Sequence, residues 1–385
     1  MATADLKVVS PAAPQVPAAP RREPEANKLF RMVMKNKGSD LHLKAGQPPM
    51  MRLRGDIARA NAQPLSAEDL EKLLLPIMKP EHRKILEEEG GADFSYVVME
   101  GEQEVRFRVS LFKQRGKLSL VARLVNTSIP SFKQLGLPDS IESLCHFPDG
   151  LIIFSGVTGS GKSTSIAAML DYIAEREPLH ILTIEDPIEF TFTDKKAYFN
   201  QREIGLDCIG WHKGLKDAVR QDPDVILIGE LRDVETFEAA VHAAETGHLV
   251  FGTLHASTAP SSINRILDLF PPTKHTAIRK ALANNLKAII AQKLLKGLKK
   301  PRTPTNEIMI FNPTIKKLVA EGEDLKLSDA IKMFYNEGMV DFTENLRLLV
   351  ENGEIDKATA LEFAPDPEKL KMAFKGIKVS APGIL

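Results

Sequence analysis

The sequence predicts an α/β protein in which a mostly parallel sheet is preceded by a small α+β domain and followed by a helical subdomain. Three observations predict it. Four short apolar segments, 150–154, 179–184, 224–228 and 249–253, are mostly separated by stretches of helical period, the pattern of parallel strands covered on both faces. A glycine-rich loop follows the first of them and precedes an amphipathic run through Ile166, Met169, Leu170 and Ile173. The region before it, up to Val125, instead mixes helical patches with stretches that alternate polar and apolar side chains, as in Val105 to Phe112 and Leu118 to Val125.

Taken in order, residues 1–26 are rich in Pro and Ala, hold too little to build a core, and read as a disordered tail. Residues 27–125 mix helical patches with the alternating strands and form the first domain. Residues 126–138 carry two prolines and few periodic apolar positions, as a linker does. The α/β core is expected over 139–303. After Pro304 the pattern becomes helical, near 326–336, 341–353, 355–363 and 367–374, giving a C-terminal subdomain over 304–375.

Composition sets limits. At 385 residues the chain has room for two or three domains. The 51 basic and 51 acidic residues balance, so no broad basic surface points to nucleic acid. The run Lys293, Lys296, Lys299, Lys300, Arg302 reads as the solvated end of a helix, where cations are favoured. The two cysteines, Cys145 and Cys208, are far apart, which argues against a disulfide framework or a zinc site and suits a reducing compartment. No apolar run reaches the ~18 residues of a membrane span, and the N-terminus lacks a signal-peptide layout.

The glycine-rich loop, Gly156-Val-Thr-Gly-Ser-Gly-Lys-Ser163, matches the G-x-x-x-x-G-K-[ST] phosphate loop position for position. Its glycines let backbone N–H groups turn inward around phosphates, and the following helix adds its positive N-terminal dipole. Gly156, Thr158, Gly159, Ser160, Gly161, Lys162, Ser163 and Thr164 are the expected nucleotide contacts. Lys162 would reach the β- and γ-phosphates, and the Ser163 hydroxyl would ligate Mg²⁺. ATP and Mg²⁺ are therefore the expected cofactors.

Three later segments end strands. The second strand runs into Glu185-Asp-Pro-Ile-Glu189, with three carboxylates at the edge where open α/β sheets bind ligands. Glu185 and Asp186 are candidates for ordering the waters of Mg²⁺, and Glu189 is a candidate catalytic carboxylate. The third strand ends in Gly229-Glu230-Leu-Arg-Asp233, the layout of a Walker B segment. Gly229 stands where many ATPases of this kind place an Asp, so Mg²⁺ should lean on Ser163 and water, and Glu230 is the expected polariser of the attacking water. The fourth strand lies within Gly247 to His255. His255 is placed to sense the γ-phosphate or the neighbouring carboxylates, whereas His248 reads as structural.

In this order the four segments resemble the secretion-superfamily motor ATPases: phosphate loop, Asp box, Walker B and His box. Among them the resemblance is greatest to the PilT-type retraction ATPases of type IV pili. Further matching stretches are Gly38 to Leu43, Asn200-Gln-Arg-Glu203, Arg220 to Asp224 and Ala243 to His248. The resemblance, over roughly residues 28–365, implies a PAS-like first domain and a RecA-like ATPase domain. It further implies a homohexameric ring that acts in the cytoplasm on the pilus machinery through an inner-membrane platform protein. It also implies arginines that reach a nucleotide across a domain or subunit boundary, matched by Arg108 and Arg123, with Arg115 a third candidate. The other reading of those arginines is that they pair with acids on the strand surface. Thr314-Ile-Lys-Lys317 departs from a family segment linked to retraction, because Lys lacks the planar fork of Arg. The expected function is thus a hexameric ATPase driving pilus retraction and twitching motility. The alternatives are a low-turnover accessory paralogue and a pilus-extension or type II secretion motor, the last two opposed by the missing cysteine quartet.

Overall fold

The computed structural model describes residues 23–377 other than 54, 102, 126 and 127. The chain divides after Leu124 into two compact units. Of the expected tail, residues 1–22 lie outside the described residues. Glu23 to Ala26 already belong to the first unit: Ala26 is buried in its core, and Glu23 accepts hydrogen bonds from Asn27 and Arg31.

In the first unit, α1 (Asn27–Lys35) is followed by β1 (Asp40–Lys44), β2 (Met50–Leu53) and β3 (Asp56–Arg59). Then come α2 (Ala67–Leu74), α3 (Pro80–Glu89), β4 (Gly91–Glu100), β5 (Gln103–Gln114) and β6 (Lys117–Leu124). The strands form an antiparallel sheet in the order β3-β2-β1-β6-β5-β4. Alternation decides which face is covered. Leu41 and Leu43, Val105 to Leu111 at every second residue, and Leu120 and Ala122 pack with Phe30, Val33, Leu70 and Leu74 of the helices. The polar partners of those residues face the other way. The β5–β6 turn places Arg115 at φ 52 and Gly116 at φ 71, as a two-residue hairpin turn requires.

The second unit opens with α4 (Phe132–Leu135) and α5 (Asp139–Leu144). The expected linker is therefore partly helical, because Ser131 and Gln134 cap α4 reciprocally. Next come β7 (Gly150–Ser155), α6 (Lys162–Arg176), β8 (His180–Glu185), β9 (Tyr198–Glu203), α7 (Trp211–Ala218) and β10 (Val225–Ile228). They are followed by α8 (Val234–Glu245), β11 (Leu249–Leu254), α9 (Ala259–Leu267), α10 (His275–Asn285), β12 (Leu286–Lys296) and β13 (Arg302–Ile310). The chain closes with α11 (Pro313–Glu321), α12 (Leu327–Met333), α13 (Phe342–Glu351), α14 (Lys357–Phe363) and α15 (Pro367–Phe374). The strand order is β13-β12-β7-β11-β10-β8-β9, parallel throughout except for β13.

Successive strand residues serve two cores. Leu151, Ile153, Ile226, Ile228 and Val250 pack with α7, α8, α9 and α10, while Ile152, Phe154, Val225, Leu227 and Phe251 pack with α5 and α6. Both faces are buried, which is why the four central strands read as unbroken apolar runs.

The structure corrects two expectations at the far side of this sheet. The boundary at 303/304 falls inside β13, so the helical segment starts at Pro313. β13 is an edge strand, where a proline, which has no N–H to donate, is tolerated, so the Pro304 that suggested a break stands opposite Leu294. The lysines from 293 onward are not the end of a helix. Lys293 and Lys296 lie on β12, and the cations cap other helices: Lys293 Nζ donates to Phe363 O at 3.1 Å, Lys299 Nζ to Asn352 O at 2.8 Å and Lys300 Nζ to Gln134 O at 2.6 Å. Those carbonyls sit at or near the C-terminal ends of α14, α13 and α4, where the helix dipole favours a cation.

An aromatic contact lies within the core of the first unit. Phe107 is fully buried, and its ring meets that of Phe30 edge-on at 4.9 Å. Truncating Phe107 to Ala should cost this unit about 3–5 kcal/mol. Urea unfolding of the full chain should show that unit melting early. An unchanged first transition would mean the pair is not central to its core.

Candidate nucleotide site

Parallel pairing brings the ends of four strands to one edge. In register, Ser155 of β7 lies beside Leu254 of β11, and Ile228 of β10 lies beside Gly252 of β11 and Ile184 of β8. The chain leaving each end supplies one of the four segments.

The phosphate loop joins β7 to α6. Gly156 (φ 147), Gly159 (φ 79) and Gly161 (φ 89) take backbone conformations that L side chains rarely adopt. Space gives a second reason at two of them. A Cβ at Gly156 would lie 2.4 Å from Gln292 O, and one at Gly161 would lie 2.8 Å from Gln292 Nε2. Val157, Thr158 and Gly159 are exposed at the loop tip, and Thr164 is half-buried in the first turn of α6. Lys162 opens α6 and is buried, and its ammonium donates to Gly156 O at 2.7 Å and Val157 O at 3.2 Å. Burial lowers its pKa, and the Glu230 and Glu189 carboxylates oppose that shift. Three of the expected site residues therefore share one electrostatic field.

Sequence reasoning missed Gln292 on β12. It is 2 % exposed, donates from Nε2 to Ser160 O at 2.8 Å and accepts the Ser165 hydroxyl on Oε1 at 2.9 Å. One carboxamide thus ties the loop to the first turn of its helix. Ser160 is buried as well, and its own hydroxyl has no partner among the described residues.

Glu185 ends β8 and is buried. Burial pushes its pKa up to about 7, against hydrogen bonds from Thr183 Oγ1 at 2.7 Å, the Glu189 N–H at 3.3 Å and Gln201 Nε2 at 3.5 Å. Asp186 is exposed, and so is Glu189, which stands between buried Ile188 and Phe190. Ser163 and Glu185 line one small cleft with Gly229, Thr253, Phe190 and Phe192. Asp186 does not line it.

Gly229 explains the missing Walker B aspartate. A Cβ there would lie 3.3 Å from Glu185 Cα and from Ile184 O, and 3.5 Å from the Trp211 ring. Thr253 Oγ1 closes the same corner by donating to Gly229 O at 2.5 Å. No group of three or more His, Cys, Asp or Glu side chains suited to a metal ion occurs among the described residues. The Ser163 hydroxyl in the cleft suits Mg²⁺, which takes few protein ligands and keeps phosphate oxygens and waters.

His255 Nε2 lies 3.4 Å from Glu230 Oε1, both side chains being half-exposed, so one of the neighbouring carboxylates is within its reach. His248 instead bonds Ala243 O through Nδ1 at 2.8 Å, a structural contact.

The two expected arginines sit in the first unit. Arg108 and Arg123 are direct cross-strand partners on the polar face of β5 and β6. The same row continues through Asp40 of β1 to Arg52 of β2. Arg123 Nε donates to Asp40 Oδ1 at 2.8 Å, so this guanidinium is paired with an acid of its own unit while its side chain stays exposed. Burial would raise the Asp40 pKa, but the Ser39 hydroxyl and the Arg123 guanidinium outweigh it and hold the carboxyl below its usual range. Arg108 has no hydrogen bond or ion pair among the described residues. Arg115 stands at the hairpin turn.

Residues 20–328 match the family described as Type II/IV secretion system protein. The chain belongs to that family. It is 41% identical over 344 residues to the type IV pilus retractation ATPase PilT of Pseudomonas aeruginosa, covering 89% of this chain and 99% of that one. It is 38% identical over 323 residues to a twitching motility protein of Neisseria gonorrhoeae, covering 84% and 86%. The crystal structure of the pilus retraction motor PilT with bound ADP matches with a TM-score of 0.83 at 42% identity, over 90% of this chain and 98% of that one.

Replacing Gln292 by Leu would leave the Ser160 carbonyl and the Ser165 hydroxyl buried without partners, at about 1–3 kcal/mol each. Nucleotide affinity of the variant, measured by fluorescence titration, should fall by ~10-fold or more. Unchanged affinity would mean that the carboxamide does not set the loop.

Proposed function

We propose that this chain is an ATP-hydrolysing motor of type IV pilus retraction, working as a ring of six copies. The observation that carries the reading is the convergence of four segments on one sheet edge: phosphate loop, Glu185 to Glu189, Glu230 and His255. Near-complete coverage of a retraction ATPase at 41% identity supports the pilus as the load. No described helix is long and apolar enough to cross a membrane, so a hold on the inner membrane would run through a platform protein of the pilus machine.

The chemistry is attack of water on the γ-phosphorus and loss of ADP. The loop amides and Lys162 hold the phosphates in place. Glu230 polarises the water and Glu189 supplies a second carboxylate near the same ammonium, so the water's proton has an acceptor. His255, beside Glu230, responds to the charge at the γ-phosphate. Mg²⁺, held by Ser163, phosphate oxygens and water, would neutralise charge on the β- and γ-phosphates. Glu185, with its carboxyl already bonded on both oxygens, and exposed Asp186 would act through waters of that ion. Arg108 and Arg123 would bring guanidinium charge to a nucleotide held by another subunit, which makes hydrolysis a property of the ring. Closure and release of the first domain, hinged at 126–138, would turn the cycle into motion.

Two measurements test the site and its sharing. Glu230→Gln should keep ATP binding and lose turnover by ~100-fold or more, since an amide of the same shape cannot accept the proton. Collapse of binding as well would make Glu230 a structural group. If the site is shared, specific activity should rise with protein concentration, and Arg108→Ala chains mixed into wild type should poison it. Arginines of this kind contribute ~10³-fold or more in other phosphoryl-transfer enzymes, so the effect is measurable. Flat activity down to monomer, without poisoning, would rule out sharing. In cells, deleting the gene should leave excess pili and no twitching, whereas loss of pili would point to an extension motor.

A further inference from the structure

The stretch Asn200-Gln-Arg-Glu203 occupies β9, the edge strand beside β8, and has entered the site so far only through the Gln201 bond to Glu185. Its side chains reach the loop that carries the carboxylates. Gln201 Oε1 accepts the Phe192 N–H at 2.9 Å. Gln201 Nε2 donates to Phe190 O at 2.8 Å and to Glu185 Oε1 at 3.5 Å. Glu203 Oε2 accepts the Ile188 N–H at 3.1 Å. The backbone around Glu189 is thus held by side chains of one strand and by the Glu185 carboxylate, which takes the Glu189 N–H.

We propose that Gln201 is a positioning residue for ATP hydrolysis: it fixes the 186–192 loop so that Glu189 is presented to the nucleotide. Glu189 is exposed while Ile188 is fully buried and Phe190 is 7 % exposed. The apolar pair sets the loop's depth, but two buried side chains leave it free to rock about their axis. Hydrogen bonds on both the N–H of Phe192 and the C=O of Phe190 remove that freedom. Only a primary amide supplies one acceptor and two donors at one spot. Its second donor meets Glu185, so the same group sets the loop against the end of β8. A carboxylate in its place loses both donors and puts a negative charge against Phe190 O and Glu185. An apolar side chain of similar length leaves the Phe192 N–H and the Phe190 carbonyl without this partner and leaves Glu185 Oε1 with Thr183 alone.

The inference rests on the hydrolytic reading, and the test separates the two. Wild type, Gln201→Met and Gln201→Glu are compared as full-length chains for kcat, KM for ATP, affinity for a fluorescent ADP analogue, and amide exchange over 180–192. Gln201→Met should keep ADP affinity within ~3-fold and lose kcat by ~10-fold or more. Gln201→Glu should lose more than Gln201→Met. Exchange should rise at 188–192 and stay unchanged over 180–184. Unchanged kcat in Gln201→Met overturns the proposal. So does a fall of kcat and ADP affinity in proportion, with exchange rising along β8 as well, because that is general loss of structure. If Gln201→Met fails to fold, the isosteric Gln201→Glu is read by the same criteria. A wild type that binds ADP but never hydrolyses ATP defeats the hydrolytic reading instead, and loop exchange still reports whether Gln201 fixes the loop.

Discussion

Everything in the second unit depends on the parallel register of β7, β11, β10 and β8. Parallel strands end on the same side, so four chain segments far apart in sequence leave the sheet together. The crossover helices that parallel pairing demands bury both faces of the sheet and free its edge for chemistry. The N-terminus of α6 then meets the phosphate loop at that edge by necessity. A single antiparallel strand among the four would carry one segment to the opposite side and dismantle the site.

Within this frame, sterics choose several of the residues. Gln292 stands so close behind the phosphate loop that only glycine fits at 156 and 161. On the other flank, the end of β8 and the Trp211 ring stand close against position 229. A side chain placed there would need the end of β8 to give by a few tenths of an ångström, and in the proposed site Mg²⁺ would lean on Ser163 and water. Two departures from a generic phosphate-loop ATPase, a glycine in Walker B and a buried Glu185, are therefore one packing fact seen from two sides. The raised pKa of Glu185 has burial as its leading cause.

The four central strands were legible because burial on both faces leaves unbroken apolar runs, and the observed elements start and stop within a residue or so of them. The phosphate loop was legible because its glycines answer a local backbone demand. β12 was not, since Leu286 to Lys296 spaces its apolar residues as a helix would, and only pairing with β7 and β13 makes it a strand. β9 was not, because Tyr198 to Glu203 is polar at most positions. Two of its side chains, Gln201 and Glu203, are spent on the backbone of 188–192, and such bonds leave no period in the sequence. Gln292 and Gln201 were invisible for that reason: each is a lone amide whose partners lie elsewhere in the chain. The arginine hairpin was legible as two alternating strands joined by a short polar turn, but the Asp40 partner of Arg123 needed the β1–β6 register.

Charge explains why such a site would be divided between units. The segments at the sheet edge carry Glu185, Asp186, Glu189, Glu230 and Asp233 against Lys162 and Arg232. Arg232 is engaged elsewhere, 3.9 Å from Asp233 and 5.6 Å from the Trp211 ring centre. A triphosphate brought to that edge adds negative charge to an acidic surface, so Mg²⁺ and Lys162 alone leave it under-neutralised. The transition state spreads charge over the phosphoryl oxygens and makes the deficit felt most at the moment of reaction. The first unit holds the complementary inventory: Arg52, Arg123 and Arg108 in one row across its sheet, with Asp40 as the lone acid between them. A carboxylate that is buried and held below its usual pKa keeps its charge, so it fixes Arg123 by Nε while the side chain stays exposed. In the proposed ring, an acidic edge on one subunit and a cationic row on another would make hydrolysis wait on their meeting. That is the condition a motor needs if chemistry is to follow movement.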